Sequence, residues 1–493
     1  MGKRFIYLIL IFGLVDLLFI QHAACRVNPE SEFDCFSIIV GREASIDGSV
    51  LMGHNEDDGG RQIVNYYKVP RRKYSSGATI TLSTGAIIPQ VEETFEYLWF
   101  EMPGMNFSDS YINEWGVAIA SDQCRSREDS AQLKDGGIKY WLRRLVAERA
   151  RSARDGVRIA GKIVSEIGYA ASGRTYVIAD PAEGWMFAAV HGKHWIAQRV
   201  PDDKVAVIPN YYTFGEINLA DTLNFLGSPD IIEYAVKKGW YDPAADGAFH
   251  FARVYSERAA LTSPGNIPRM WRGVNLLAGK AYSIDAQFPF AFEPKKKLSV
   301  ADLFVVLRDH YENTEFDKTQ GYQLGSPNYL NGSTICADAT QNSFVAQLRR
   351  HIPIEIGAVI WLSQHRPDTQ AFVPWYLGIT KIPDGYAFGN PETALTQHFN
   401  PSEETYDMSR DHAFWSFFKL AEKVDENYGA LISTVRKRQD ELEKNALKKQ
   451  AVFEKKVVGI YHKNPQAAKQ MLTEYTSALA NEARRIAEKL THE

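Results

Sequence analysis

The chain has 493 residues, 56 Lys plus Arg against 60 Asp plus Glu, and a formal net charge of −4. With 45% hydrophobic and 12% aromatic residues, the composition excludes disordered and fibrous classes, and the length calls for two or three domains or one large elaborated enzyme domain. Near charge balance argues against a polyanion binder, and four cysteines (Cys25, Cys35, Cys124 and Cys336) are too few for a disulfide scaffold.

Residues 1–24 read as a secretory signal peptide. Lys3 and Arg4 form a basic start, an apolar run interrupted by Asp16 follows, and Ala23 and Ala24 supply small residues for cleavage. The rival reading is an uncleaved anchor. Cys25 after Ala23-Ala24 partly resembles a lipoprotein cleavage box, with His22 where Leu is expected, so a lipid tether at Cys25 is the lesser alternative. No later stretch approaches 18 continuous apolar residues, so stable membrane insertion after signal removal is not expected. Residues 25–34 are a short polar segment. Signal peptidase needs small residues before its cut, and Glu32 and Asp34 are wrong for it. Exposure of Cys35 as an N-terminus therefore requires a second cleavage, at the Asp34–Cys35 bond.

Further on, 35–41 (CFSIIVG) and 49–55 (SVLMGHN) read as strands joined by an Asp47-Gly48 turn. Strands are predicted at 116–121, 175–179, 185–190 and 204–209, and helices at 138–152 and 155–168. Later strands are predicted at 343–348, 357–363 and 370–376. Runs of strands separated by helix pairs point to a layered α+β enzyme. From about residue 402 the pattern turns helical. The segment 436–456 holds eight basic and four acidic side chains; it reads as a solvated helix face, with nucleic-acid or membrane-surface binding as rivals. This gives a signal peptide at 1–24, a pro-segment at 25–34, a catalytic domain at 35–400 and a C-terminal helical region at 401–493.

Several chemistries have no motif here. HExxH, paired CxxC, a P-loop, a GxSxG elbow and a glycine fingerprint after a strand are all missing. His191 and His194 are close in sequence but no third ligand accompanies them, so they read as strand-face or substrate-lining residues. Asn106 and Asn331 lie in N-x-S sequons. Cys35 lacks the neighbours of a papain-like nucleophile. A Cys124–Cys336 disulfide stays open outside the cytoplasm.

Cys35 itself has two readings. One is a buried structural thiol. The other is an N-terminal nucleophile that carries its own base. An α-amine with pKa of about 7.7–8.0 and a thiol of about 8.5 both lie near working pH, so the amine can take the thiol proton and later return it to a leaving amine. With the turn at Asp47-Gly48, paired residue numbers sum to about 95, so Cys35 faces the region of Gly60, with Asn55, Glu56 and Asp57 within reach if the strand end bends.

The block CFSIIVGREASIDGSVLMGHNEDD resembles the opening of the secreted cysteine dipeptidase family of the N-terminal-nucleophile (Ntn) hydrolases, related to secernin. NEWGVAIAS, ADPAEGWMF, HWIAQRVPDDKVAVIPNYYTFGEINL, KKLSVADLFVVLRDHYENT and QNSFVAQLRRHIPIEIGAVIWLSQHRPDTQAFVPWYLGI resemble later blocks in order, as does DHAFWSFFKL.

The resemblance implies a four-layer αββα Ntn-hydrolase sandwich with a C-terminal helical extension. It implies a secreted or periplasmic dipeptidase that works through a thioester, with zymogen processing at Asp34 and Cys35. Cys35 matches the nucleophile. Asp57 matches a residue that holds the N-terminal amine or thiol, and Asn210 one that donates to the oxyanion or a nearby loop. Ser121 and Asp122 lie where the wider clan has a further oxyanion residue, and no role is assigned to them. His54 and Asn55 are candidate substrate contacts, His54 standing where the family commonly has Arg. Arg269 and Arg272 either pair with the substrate carboxylate, hold the amine region or form structural ion pairs. No metal, organic cofactor or nucleic-acid partner is expected, and homo-oligomerisation is left open. A different amide substrate on the same fold, bile-acid-, penicillin- or acyl-amino-acid-like, is the alternative.

Overall fold

The computed structural model describes residues 35–58 and 62–493. The signal peptide, Cys25, the pro-segment and the Gly60 region lie outside the described residues.

Fourteen strands build two main sheets. In chain order they are β1 (Phe36–Val40), β2 (Val50–Asp57), β3 (Asn65–Val69), β4 (Tyr97–Glu101), β5 (Ser110–Asn113), β6 (Ala118–Gln123) and β7 (Tyr169–Ala179). They continue as β8 (Gly184–Gly192), β9 (Trp195–Val200), β10 (Val205–Ile208), β11 (Phe225–Gly227), β12 (Thr340–Leu348), β13 (Ala358–Gln364) and β14 (Val373–Tyr376). The six-stranded sheet has the order β10-β1-β2-β12-β13-β14, and the eight-stranded sheet β11-β9-β8-β7-β6-β5-β4-β3. Every pairing in both is antiparallel.

Seven longer helices cover these sheets: α1 (Trp141–Arg149), α2 (Ala153–Ile167), α3 (Ile267–Leu277), α4 (Val300–Leu307), α5 (Ala413–Glu426), α6 (Tyr428–Tyr461) and α7 (Pro465–His492). Helices α1 and α2 pack on the eight-stranded sheet, and α3 and α4 on the six-stranded one. The sheets meet where β1 and β2 contact β6 and β7. The layer order is therefore αββα, the sandwich expected from the sequence. Each sheet is buried on both faces, which is why strands such as Phe36–Val40 read as continuous apolar runs rather than alternating ones.

Local signals explain the helix ends. The predicted 138–152 helix closes at Arg149, because Ala150 is extended (φ −83°, ψ 134°) and Ser152 caps the next helix by accepting from Asp155 N–H. Gly168 ends α2 at φ +86°, a conformation that disfavours a side chain. Helix α4 starts with a Ser299–Asp302 capping box. In α3, Gly273 lets the helix settle on Phe36; a Cβ there would stand 2.5 Å from the ring. That contact fixes the residue next to Cys35.

The sequence missed β3, β4, β5, β9 and β11. It also set the first hairpin in the wrong register. Pairs such as Phe36↔Asn55 and Val40↔Leu51 sum to 91, not 95. The connection is not a tight two-residue turn. Residues 41–49 form a longer loop tied to neighbours, with Glu43 and Ala44 N–H donating to Asp202 O and Ile46 N–H to Leu298 O. Cys35 therefore lies level with Glu56.

The helices past residue 401 share a core with the catalytic layers. Leu420, Val457, Leu472 and Leu490 belong to the same buried cluster as Ile38 and Val207. Glu454 of α6 forms a buried bidentate pair with Arg349 (2.6 and 2.7 Å) and accepts from Tyr376 OH. Helix α7 lies along the edge strand β14: Thr476 Oγ1 accepts from Tyr376 N–H and donates to Pro374 O, and Thr473 Oγ1 accepts from Thr380 N–H. On α6, Lys444, Lys448, Lys449, Lys455 and Lys456 are exposed, while Ile432, Val435, Leu442, Ala446 and Val457 are buried at helical spacing. Among the described residues no helix is long and apolar enough to cross a membrane.

Candidate active site

Strand parity sorts the side chains around Cys35. On β1, Cys35 and Ser37 face the sheet–sheet interface, and Phe36 faces α3. On β2, His54 and Glu56 face the same interface, and Asn55 faces the helix layer. Continuing the β1–β10 register by two residues from Ser37↔Ile208 sets Cys35 level with Asn210. Cys35 thus has Glu56 on one neighbouring strand and Asn210 on the other.

Cys35 is 2% exposed. Its Sγ lies 3.4 Å from Glu56 Oε1 and 3.6 Å from the Asp57 carbonyl. Burial first, then the charges of Glu56, Asp57 and Asp122, push the thiol well above its ordinary value. Burial also raises Glu56, to about 8, and Asp122, to about 7. His54 goes the other way: burial lowers it to about 4, so it is neutral near pH 7.

These groups form a directional chain. Ser37 Oγ–H donates to Asp122 Oδ2 at 2.6 Å, so Ser37 Oγ accepts from His54 Nδ1–H at 2.8 Å. That tautomer leaves His54 Nε2 as an acceptor, 3.0 Å from Glu56 Oε2. A protonated Glu56 fits the assignment, since its O–H donates to Nε2 and its other oxygen receives the thiol. The Arg143 guanidinium stands 3.8 Å from Glu56 Oε2, and Arg143 and Arg174 each donate to Ser121 Oγ at 3.1 Å.

The other side of Cys35 is organised by Arg269, which is fully buried. It donates to the Cys35 carbonyl (3.1 Å), Asn210 Oδ1 (2.8 Å), Asn266 Oδ1 (3.0 Å) and Gly265 O (2.7 Å). Because Arg269 takes Oδ1, the Asn210 amide is fixed with Nδ2 outward. Among the described residues that buried N–H₂ has no hydrogen-bond partner. An orphaned donor beside a nucleophile is what an oxyanion requires.

The side chains of the remaining expected site residues have these partners. Asp57 accepts from Thr340 Oγ1 at 2.6 Å. Asn55 is a strut, its Nδ2 donating to Leu307 O (2.9 Å) and Ile335 O (2.6 Å). Arg272 grips both oxygens of Asp309 and the Glu312 carbonyl. Arg272 thus takes the structural ion pair that the sequence left open, and Asn55 points into the helix layer. His54 is fully buried and reaches Cys35 through Glu56. His191 and His194 turn to different partners, Glu128 O and Asp230 Oδ2. Cys124 and Cys336 are free, so the disulfide left open above is not formed.

Sequence reasoning missed Ser37, Arg143 and Arg174 as neighbours of Cys35, and it named Glu56 only as one of three residues within reach, without a role. Glu56 was within reach: with the register corrected by four, strand parity alone puts it opposite the thiol. Arg143 and Arg174 come from α1 and β7, and nothing local marks them.

Comparison with known proteins adds the following. The profile of peptidase family C69 matches residues 34–441. A probable dipeptidase of Latilactobacillus sakei is 28% identical over 422 residues, covering 80% of this chain and 82% of the relative. Probable dipeptidase B of Streptococcus pyogenes serotype M1 is 26% identical over 373 residues, covering 72% and 74%. Among solved structures, penicillin V acylase from Agrobacterium tumefaciens aligns over 67% of this chain and 82% of its own, at 12% identity and a TM-score of 0.32.

Proposed function

Because the chain belongs to peptidase family C69, we propose that it is a cysteine dipeptidase whose nucleophile is Cys35, unmasked by removal of a pro-segment ending at Asp34. The observation that carries this reading is the surroundings of Cys35: a carboxyl group against its thiol, Arg269 on its carbonyl and the unpartnered Asn210 Nδ2 on the adjoining strand. The names of the relatives, probable dipeptidases, supply the substrate class.

Cleavage at Asp34–Cys35 turns the Cys35 amide into an α-amine. The amine takes the thiol proton and the thiolate attacks the scissile carbonyl. Asn210 Nδ2 stabilises the oxyanion, and the α-ammonium protonates the leaving amine. The amine then activates water to hydrolyse the Cys35 thioester. Processing does more than supply the base. In the uncleaved chain burial, with the carboxyl groups around it, holds the thiol protonated. A new ammonium among Glu56, Asp57 and Asp122 offsets that charge and lowers the thiol. Latency before cleavage and activity after it follow from one charge.

The signal-like start at 1–24 supports secretion or a periplasmic location as part of this reading. N-terminal sequencing of the mature protein, with a panel of dipeptides and acyl amides, tests it. A start at Cys35 with dipeptide cleavage is expected. A start at Cys25 in a sample that still splits dipeptides overturns the amine as base and moves that role to the Glu56–His54 pair. Preference for acyl amides overturns the substrate class.

A further inference from the structure

A second cluster of reactive groups lies behind the catalytic strand, apart from Cys35. His310 follows α4, Cys336 sits in the loop before β12, and Asp368 follows β13. All three are buried, and their ligand atoms lie within 4.8 Å of one another. His310 Nε2 is 3.9 Å from Asp368 Oδ2.

Each donor is aimed from outside the cluster. Glu312 accepts from the His310 backbone N–H (2.8 Å) and from Nδ1–H (3.2 Å), which directs the Nε2 lone pair inward. Tyr428 OH donates to Asp368 Oδ2 at 3.1 Å. Asn328 Nδ2 donates to Asp425 Oδ1 at 2.9 Å, which fixes the amide so that its Oδ1 stands 3.1 Å from His310 Nε2. An imidazole lone pair and an amide oxygen at that distance repel unless something positive lies between them. The charge count agrees. Two buried carboxylates, Asp368 and Asp425, face one guanidinium, Arg366, which is 2.6 Å from Asp425 Oδ2 and 3.8 Å from Asp368 Oδ1, and the half-buried Glu312 stands beside His310. A buried excess of negative charge is costly unless it is compensated.

We propose that His310, Cys336 and Asp368, with Asn328 Oδ1 as a fourth donor, bind a zinc-class divalent cation. One sulfur, one imidazole nitrogen and oxygen donors suit zinc rather than magnesium or calcium. Tetrahedral zinc places its donors roughly 3.6 Å apart, so the set closes on the ion with side-chain shifts of about 1 Å. The role is structural, because protein atoms fill every position. The ion would tie the end of α4, the loop before β12 and the segment after β13 into one unit. It would also bear on the peptidase site. Thr340, four residues beyond Cys336, accepts from Ala337 N–H and donates to Asp57 Oδ1, so the ion would steady the turn that positions Asp57.

The rival occupant is a proton, which would make His310 an imidazolium. The test uses full-length protein carrying Cys35→Ala, so that the catalytic thiol cannot bind metal. Elemental analysis is expected to give one zinc per chain, retained when Cys124→Ser is added and lost with Cys336→Ser. Cobalt-exchanged protein is expected to show a thiolate-to-metal absorption band that Cys336→Ser abolishes. Should that variant not fold, His310→Gln and Asp368→Asn replace it, and chelation of the Cys35→Ala protein is expected to lower its Tm, with recovery on zinc but not magnesium. Absence of stoichiometric metal after incubation with zinc or cobalt, or a cobalt spectrum indifferent to Cys336→Ser, overturns the proposal in favour of the proton.

Discussion

Glu56 Oε1 and Cys35 Sγ meet at 3.4 Å in a site that excludes water, and neither is charged near pH 7 before processing. Two groups that would both be anionic instead share the site as neutral partners. This has a measurable cost in pH dependence. The folded value of Glu56, about 8, lies above that of an exposed glutamate, about 4.3. The folded state binds the extra proton across that window, so this contribution to stability is present at low pH and is lost as pH rises toward 8. Asp122, at about 7, acts in the same direction and is exhausted earlier. His54, lowered to about 4, has the opposite sign, adding stability as pH rises between about 4 and 6.5. In a Cys35→Ala precursor, the urea midpoint should fall between pH 7 and 8. Glu56→Gln should flatten that fall. Equal slopes with and without Glu56 would remove it as the titrating group.

Asn210→Ala should lower kcat by about 10²–10³ with little change in KM, because a donor used only by the oxyanion stabilises the transition state. Steady-state kinetics on one good dipeptide decides this. An unchanged kcat would return Asn210 to the role of an Arg269 anchor.

Arg269→Lys keeps the charge and removes the fork that spans Cys35 O, Asn210 Oδ1 and Asn266 Oδ1. Each lost charged hydrogen bond is worth about 1.5–3 kcal/mol, so denaturation should show a clear loss of stability. The kcat should fall as well, since both the nucleophile's carbonyl and the oxyanion donor lose their common support. A variant stable and active as wild type would mean that the hub is redundant.

Cys35→Ala should accumulate as full precursor if the thiol cuts its own Asp34–Cys35 bond. Intact mass of protein from the same host distinguishes the cases. Processing equal to wild type would assign the cut to another protease.

Much of this was legible in the sequence. The layered α+β class followed from strand runs separated by helix pairs, while the αββα order and the choice of Cys35 as nucleophile came with the family resemblance. The five missed strands all lie in the eight-stranded sheet, where aromatic segments such as Tyr97–Glu101 are buried throughout and show no alternation. A register error of four kept Glu56 from being singled out among the three residues within reach of Cys35. Asp47-Gly48 looks like a tight turn, but tertiary contacts from Asp202 and Leu298 decide the loop. The Asn210 N–H₂ and the converging Arg143 and Arg174 depend on contacts between residues 22, 53 and 59 positions apart, which no local pattern reports.

The threonines of α7 have one more consequence. Strand β14 ends its sheet, and an open edge of that kind is a template on which a second chain can add a strand. Thr476 occupies two of its backbone groups with a side-chain oxygen instead, and Thr473 takes the N–H of Thr380 just beyond it. A protein shortened before Pro465 would keep every residue around Cys35 and still lose that guard, so self-association through β14 is the failure expected of it.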